Sequence, residues 1–161
     1  MLGDGDIAVA YLQVVRDAFL HALRRDAFSG PVIADSQALI DYLTFDLSRV
    51  STERLRVLFL NNATRLLADE IMSEGSVSEA EVPLRKIFNR ALELGATGII
   101  MVHNHPGGDP RPSEDDIAAT RRTAFVGSFL DIRLHDHLVI GSSGWSSLRA
   151  LGFIAAGDGL P

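Results

Sequence analysis

Two histidines, His103 and His105, close an apolar run at residues 98–102. Side chains two apart on a strand point to one face about 6.5–7 Å apart at the backbone, and from there two imidazoles converge on one ion. The next segment, Pro106 to Pro112, holds three prolines and two glycines and lets the chain reverse tightly. The reversal brings back Ser113 and Asp116. Together these residues supply two nitrogen ligands and one hard oxygen ligand. A fourth tetrahedral position stays open for water, which marks a catalytic rather than a structural zinc. Such an ion lowers a water's pKa towards about 7 and polarises a carbonyl that enters the site. A serine followed three residues on by an acid is also a helix capping box, and Ser113 is compatible with both readings. A lone His-x-His on a strand is more often structural, so the weight rests on the whole pattern.

The remaining candidates read more plainly. His135 and His137 repeat the same-face spacing, so a second metal competes there with strand-edge packing or hydrogen bonding, and the latter is preferred. His21 lies among Leu20, Ala22 and Leu23 and reads as a partly exposed or satisfied structural histidine. Arg121 and Arg122 read as a solvated helix face, and Trp145 as a cover for the end of the core. Zero cysteines exclude disulfides, Fe–S clusters, thiolate nucleophiles and the zinc deaminase signature. No His-Glu-x-x-His occurs, which excludes a zincin.

These residues need elements to position them. At 161 residues the chain is long enough for one domain with a real core. Its apolar content of 47% and charged content of 22% exclude general disorder. Fifteen basic against twenty-one acidic residues give a net charge of −6, which opposes broad phosphate binding. The Met1–Asp6 start lacks the basic residues of a signal peptide, and no apolar run spans a bilayer, so a cytoplasmic protein is expected. Helical spacing of Ile7, Tyr11, Val15, Phe19 and Leu23 predicts an amphipathic helix over 7–27. A second helix, capped at Asp35-Ser36, is expected over 37–47, with Leu39, Ile40, Tyr42 and Leu43 buried. Alternation at Leu55, Val57 and Phe59, a turn at Asn61-Asn62 and a restart at Leu66 predict an antiparallel strand pair. Beyond it come a helix over 82–94 ended by Gly95, a buried strand over 98–102, a helix from about 114 to 127 and a strand over 132–140.

The run from His103 to Asp116 resembles the metalloprotease motif of JAB/MPN domains in the form found in bacterial RadC proteins. Leu55–Leu60, the stretch from Glu70, the Ala91–Val102 approach and Asp136–Gly141 resemble segments of that family in the same order, over about residues 32–155. The resemblance implies an α/β fold of the JAB/MPN (cytidine-deaminase-like) type, a mixed β-sheet flanked by helices in a single domain. Residues 1–31 would form a helical extension and 32–161 the domain itself. It implies one Zn2+ held by His103, His105 and Asp116, with Ser113 hydrogen-bonding the water or the tetrahedral intermediate. It also implies a glutamate general base at the start of the first core strand, the place of Glu53; spacing alone does not separate Glu53 from Glu70 or Glu74. The implied activity is hydrolysis of peptide or isopeptide bonds in a peptide or protein substrate, by a metal-activated water. The alternatives are a DNA-associated repair accessory, which the acidity disfavours, and a metal-binding interaction module without turnover; a homodimer is compatible with each. The helix-hairpin-helix region usual in the family is missing from the residues before the resemblance. Pro106-Gly107-Gly108 replaces the family's Pro-Ser-Gly, at positions that are not ligands. Val82-Pro83-Leu84-Arg85-Lys86 departs from the usual helix start, which bears on substrate or partner contacts and not on the metal.

Overall fold

The structure, a computed structural model, describes residues 4–34, 36–75 and 82–154. Strands β1 (Glu53–Leu60), β2 (Leu66–Gly75), β3 (Gly98–Asn104), β4 (Arg133–Gly141) and β5 (Gly144–Ser147) form one sheet in the order β2-β1-β3-β4-β5. The first two pair antiparallel, as the turn at 61–62 predicts. β1 also runs antiparallel to β3, whereas β3 and β4 are parallel. A parallel pair needs a crossover, and helix α4 (Glu114–Phe129) supplies it.

Helices cover both faces. On one, α2 (Gln37–Leu47) packs Leu39, Ile40 and Leu43 against Leu58, Leu60, Ile100, Val102, Leu138 and Ile140. On the other, α3 (Leu84–Leu94) packs Ile87, Phe88 and Ala91 against Val57, Phe59, Ile99 and Met101, and Ile117 of α4 meets Val139. A strand covered on both sides must be apolar at nearly every position, and β3 is buried along its whole length. Each fully buried leucine or isoleucine contributes about 1.5–3 kcal/mol, so the core is concentrated on the strand that carries the histidines. Local signals set the helix ends. The Ser36 hydroxyl accepts the Leu39 N–H, and Gly95 stops α3 at φ 64°. Asp35, the other half of the expected cap, lies outside the described residues. Arg56 pairs with Asp46 and Asp69 at 2.9 Å each, tying α2 to the β1–β2 hairpin.

Three expectations need correction. The helix α1 (Asp4–Ala27) forms, but its stripe meets the body only over its second half, through Phe19 against the Phe45 ring and through Leu20, Leu23 and Ala27. Ile7, Tyr11, Val15 and Phe19 are 52–73% exposed. A helix of 24 residues is about 36 Å long, and along its first half the stripe residues are more than half exposed. Second, His135 and His137 do not share a face. The β3–β4 register slips so that Ile99 faces Leu134 and Ile100 faces Asp136, which makes His135 the extra residue of a bulge. The ring of His135 lies where a Gly98 side chain would be, whereas His137 turns to the α4 side. Third, Trp145 is 38% exposed on edge strand β5 and does not seal the core.

Candidate metal centre

The loop after β3 is pinned against the end of β4. His105 N–H donates to the Ile140 carbonyl at 2.8 Å, and Ser143 donates to the Gly108 carbonyl through both its N–H and its hydroxyl. A side chain at Gly141 would strike the Gly108 carbonyl, so glycine there lets the loop lie flat on the strand. The loop ends at Ser113, the N-cap of α4, where the expected capping box forms. Asp116 Oδ2 accepts from Ser113 N–H at 2.7 Å and from Ser113 Oγ at 2.6 Å, while Ser113 Oγ accepts from Asp116 N–H. The box therefore aims the aspartate back at the strand.

His103, His105 and Asp116 come together there, with one ligand atom from each lying within 4.8 Å of the others. His103 Nε2 and His105 Nε2 are 2.8 Å apart; Asp116 Oδ1 is 3.2 Å from the first and Oδ2 3.4 Å from the second. Two bare ring nitrogens at that distance repel unless a proton or a cation lies between them, and the carboxylate adds the charge that favours a cation. The His105 Nδ1–H donates to the Asp109 carbonyl at 2.8 Å, which leaves its Nε2 bare. Two imidazole nitrogens and one carboxylate oxygen fit a divalent ion of the zinc, manganese or iron type. Burial pushes the Asp116 carboxyl up, but His103 and His105, when they carry a second proton and donate it to the carboxylate, outweigh burial and hold it well below the usual carboxylate range. The bond to Asp116 likewise raises His105 above the ordinary 6.5.

Glu53 stands at the first position of β1, and β1 pairs with β3 so that Leu55 faces His103. The fold thus sets the Glu53 end of β1 beside the histidine end of β3. Burial raises the Glu53 pKa, against the pull of the charges on His103 and His105. Its Oε2 is buried without a hydrogen-bond partner. A polar oxygen so placed costs about 1–3 kcal/mol unless something at the site satisfies it. The other two glutamates are engaged elsewhere: Glu70 with Arg90 at 2.8 Å and Glu74 with Arg54 at 2.8 Å. Arg90 also pairs with Glu93, so both acids lining the separate cleft of about 840 Å³ between β2 and α3 are held by one guanidinium.

Sequence reasoning overlooked three contacts. Asn104, between the two histidines, points to the opposite side. Its amide donates to the Val50 and Thr52 carbonyls, and its Oδ1 accepts the Arg54 N–H at 2.9 Å, so it clamps the backbone on both sides of Glu53. Its place within the His-x-His was the only available signal. His137 Nε2 lies 2.8 Å from His103 Nδ1, and its Nδ1 is 2.6 Å from Thr120 Oγ1. The preferred reading of His137 as a hydrogen-bonding residue matches this contact, but its partner was not foreseen. Burial lowers the His137 pKa well below the ordinary value. Thr120, four residues after Asp116, carried only helical periodicity as a signal. His21 and the Arg121-Arg122 pair are exposed, and Arg121 lies over the Phe153 ring. Among the described residues no helix is long and apolar enough to cross a membrane.

A family model described as RadC-like JAB domain matches residues 33–153. A UPF0758 protein of Rhodobacter capsulatus is 41% identical over 152 residues, covering 94% of this chain and 71% of the relative. The UPF0758 protein SPO0054 of Ruegeria pomeroyi is 38% identical over 152 residues, with 94% and 68% covered. With the sheet, the flanking helices and the His-His-Asp cluster all in place, the chain belongs to the RadC-like JAB domain family.

Proposed function

We propose that this protein is a zinc-dependent hydrolase of peptide or isopeptide bonds. The observation that carries the reading is the convergence of His103, His105 and Asp116 beside a buried glutamate oxygen with no partner. Those three side chains would hold the ion, which when bound makes a water acidic and polarises a carbonyl. Glu53 takes a proton from the attacking water and returns it to the leaving amine. The amide C–N bond breaks, the water oxygen ends in the new carboxylate, and the amine departs protonated. Burial suits Glu53 to both halves of that task, because a raised pKa brings the carboxyl closer to the pH at which it must give the proton back. Ser113 anchors Asp116 through its N–H and hydroxyl, and its hydroxyl is the donor within the loop that would turn to an oxygen of the tetrahedral intermediate.

Metal analysis of the purified protein tests the reading first. The wild type should carry about one ion per chain, and His103→Ala and Asp116→Ala should each lose it. Unchanged zinc content in both variants would end the hydrolase reading. A panel of peptide and isopeptide substrates, assayed with and without chelator, then tests the reaction.

A further inference from the structure

A metal-ligating imidazole must present a bare nitrogen, so its other nitrogen must carry the hydrogen and have somewhere to donate it. For His105 the acceptor is a backbone carbonyl, which can only accept. For His103 the neighbour is another imidazole, which can do either. The direction is decided two residues further out. Thr120 Oγ1 lies 2.6 Å from the Asp116 carbonyl oxygen and 2.6 Å from His137 Nδ1. If the hydroxyl hydrogen pointed to His137, two oxygens would face each other at 2.6 Å with no hydrogen between them. Given instead to the carbonyl, it leaves the threonine oxygen to accept, so His137 carries its hydrogen on Nδ1. His137 Nε2 is then bare and accepts from His103 Nδ1–H at 2.8 Å, which frees His103 Nε2 towards His105 and Asp116. Both relay residues are fully enclosed, His137 at 1% and Thr120 at 0% exposure, so water cannot substitute for either.

We propose that His137 and Thr120 are positioning residues that fix the tautomer and ring orientation of His103. The relay starts from the backbone of Asp116, so it couples the two ligand-bearing elements, β3 and α4, through β4. As a statement about metal binding it rests on the hydrolase reading, whereas the direction of the hydrogen bonds does not.

Two measurements test it. In the 15N-labelled metal-free protein, long-range 1H–15N spectra of the imidazoles should show His137 and His103 both with hydrogen on Nδ1. Hydrogen on Nε2 of His137 would overturn the relay. In chelator competition with Zn2+, Thr120→Val and His137→Leu should weaken binding about ten- to a hundredfold. Thr120→Ser, which keeps the hydroxyl, should stay within about threefold of wild type, and His137→Gln, whose side-chain oxygen can accept from His103, should recover part of the loss. Wild-type affinity in folded Thr120→Val would refute the relay while leaving the hydrolase intact. Failure of the wild type to bind Zn2+ more tightly than His103→Ala would refute the hydrolase, and the tautomer spectrum would still decide the relay. That spectrum needs only the wild type, so it holds even if a variant fails to fold.

Discussion

Glu53 and Asp116 are both carboxylates at one site, yet their surroundings drive them in opposite directions. Burial dominates for Glu53 and raises its pKa, whereas the two histidines in their protonated form prevail over burial for Asp116 and lower it. Such a divided pair suits an assignment of one acid to proton transfer and the other to ligation. Glu53→Gln keeps the shape and removes the base, so kcat should drop about 100- to 10,000-fold in a peptidase assay while metal content stays unchanged. The pH profile carries the same information. A base works only when ionised, so activity should be lost as pH falls; burial moves that limb up and the bound ion's charge moves it down. An acidic limb that stays unchanged in the residual activity of Glu53→Gln would remove Glu53 from the role.

At the scale of elements, the site depends on three short segments held against strand ends. The segment before β1 is fastened by Asn104, which is 1% exposed and makes three hydrogen bonds to backbone atoms of Val50, Thr52 and Arg54. Asn104→Ala would leave those groups unpaired and should cost about 3 kcal/mol in urea unfolding. It should also lower kcat, because Glu53 lies inside the clamped segment. The start of α4 depends on its capping box. Ser113→Ala should cost about 1 kcal/mol and should weaken Zn2+ binding as well, since Asp116 Oδ2 loses one of its two donors. A loss of stability with no change in affinity would confine Ser113 to the cap.

For the molecule as a whole, stability resides in the three layers around the sheet, and the first half of α1 lies outside them. Val14, at 67% exposure, and Leu43, at 0%, sit on neighbouring helices in opposite circumstances. Val14→Glu should shift unfolding free energy by no more than about 0.5 kcal/mol. Leu43→Ala should cost about 2–5 kcal/mol, because it opens a cavity between α2 and the sheet. Denaturant titration of both variants checks the pair, and a large effect at Val14 would mean that this half of α1 is covered in solution.

Much of this was legible along the chain because it depends on neighbours in sequence. Periodicity and end signals place α2, α3, α4 and the central strand, since a stripe of apolar residues, a capping serine or a left-handed glycine acts within a turn or two. The His-His-Ser-Asp spacing is local too, because one loop and one helix cap bring it together. Glu53 is different. It reaches the site through the β1–β3 register, fifty residues away along the chain, and no spacing rule separates it from Glu70 or Glu74, which the fold gives to arginines. The partnership of His137 with His103 likewise required the parallel pairing of β3 with β4 and the bulge at His135, which reverses the facing that simple alternation assigns. The exposure of α1 could not be read from its stripe, because periodicity shows which side of a helix is apolar and only the packed molecule shows whether a surface lies beneath it.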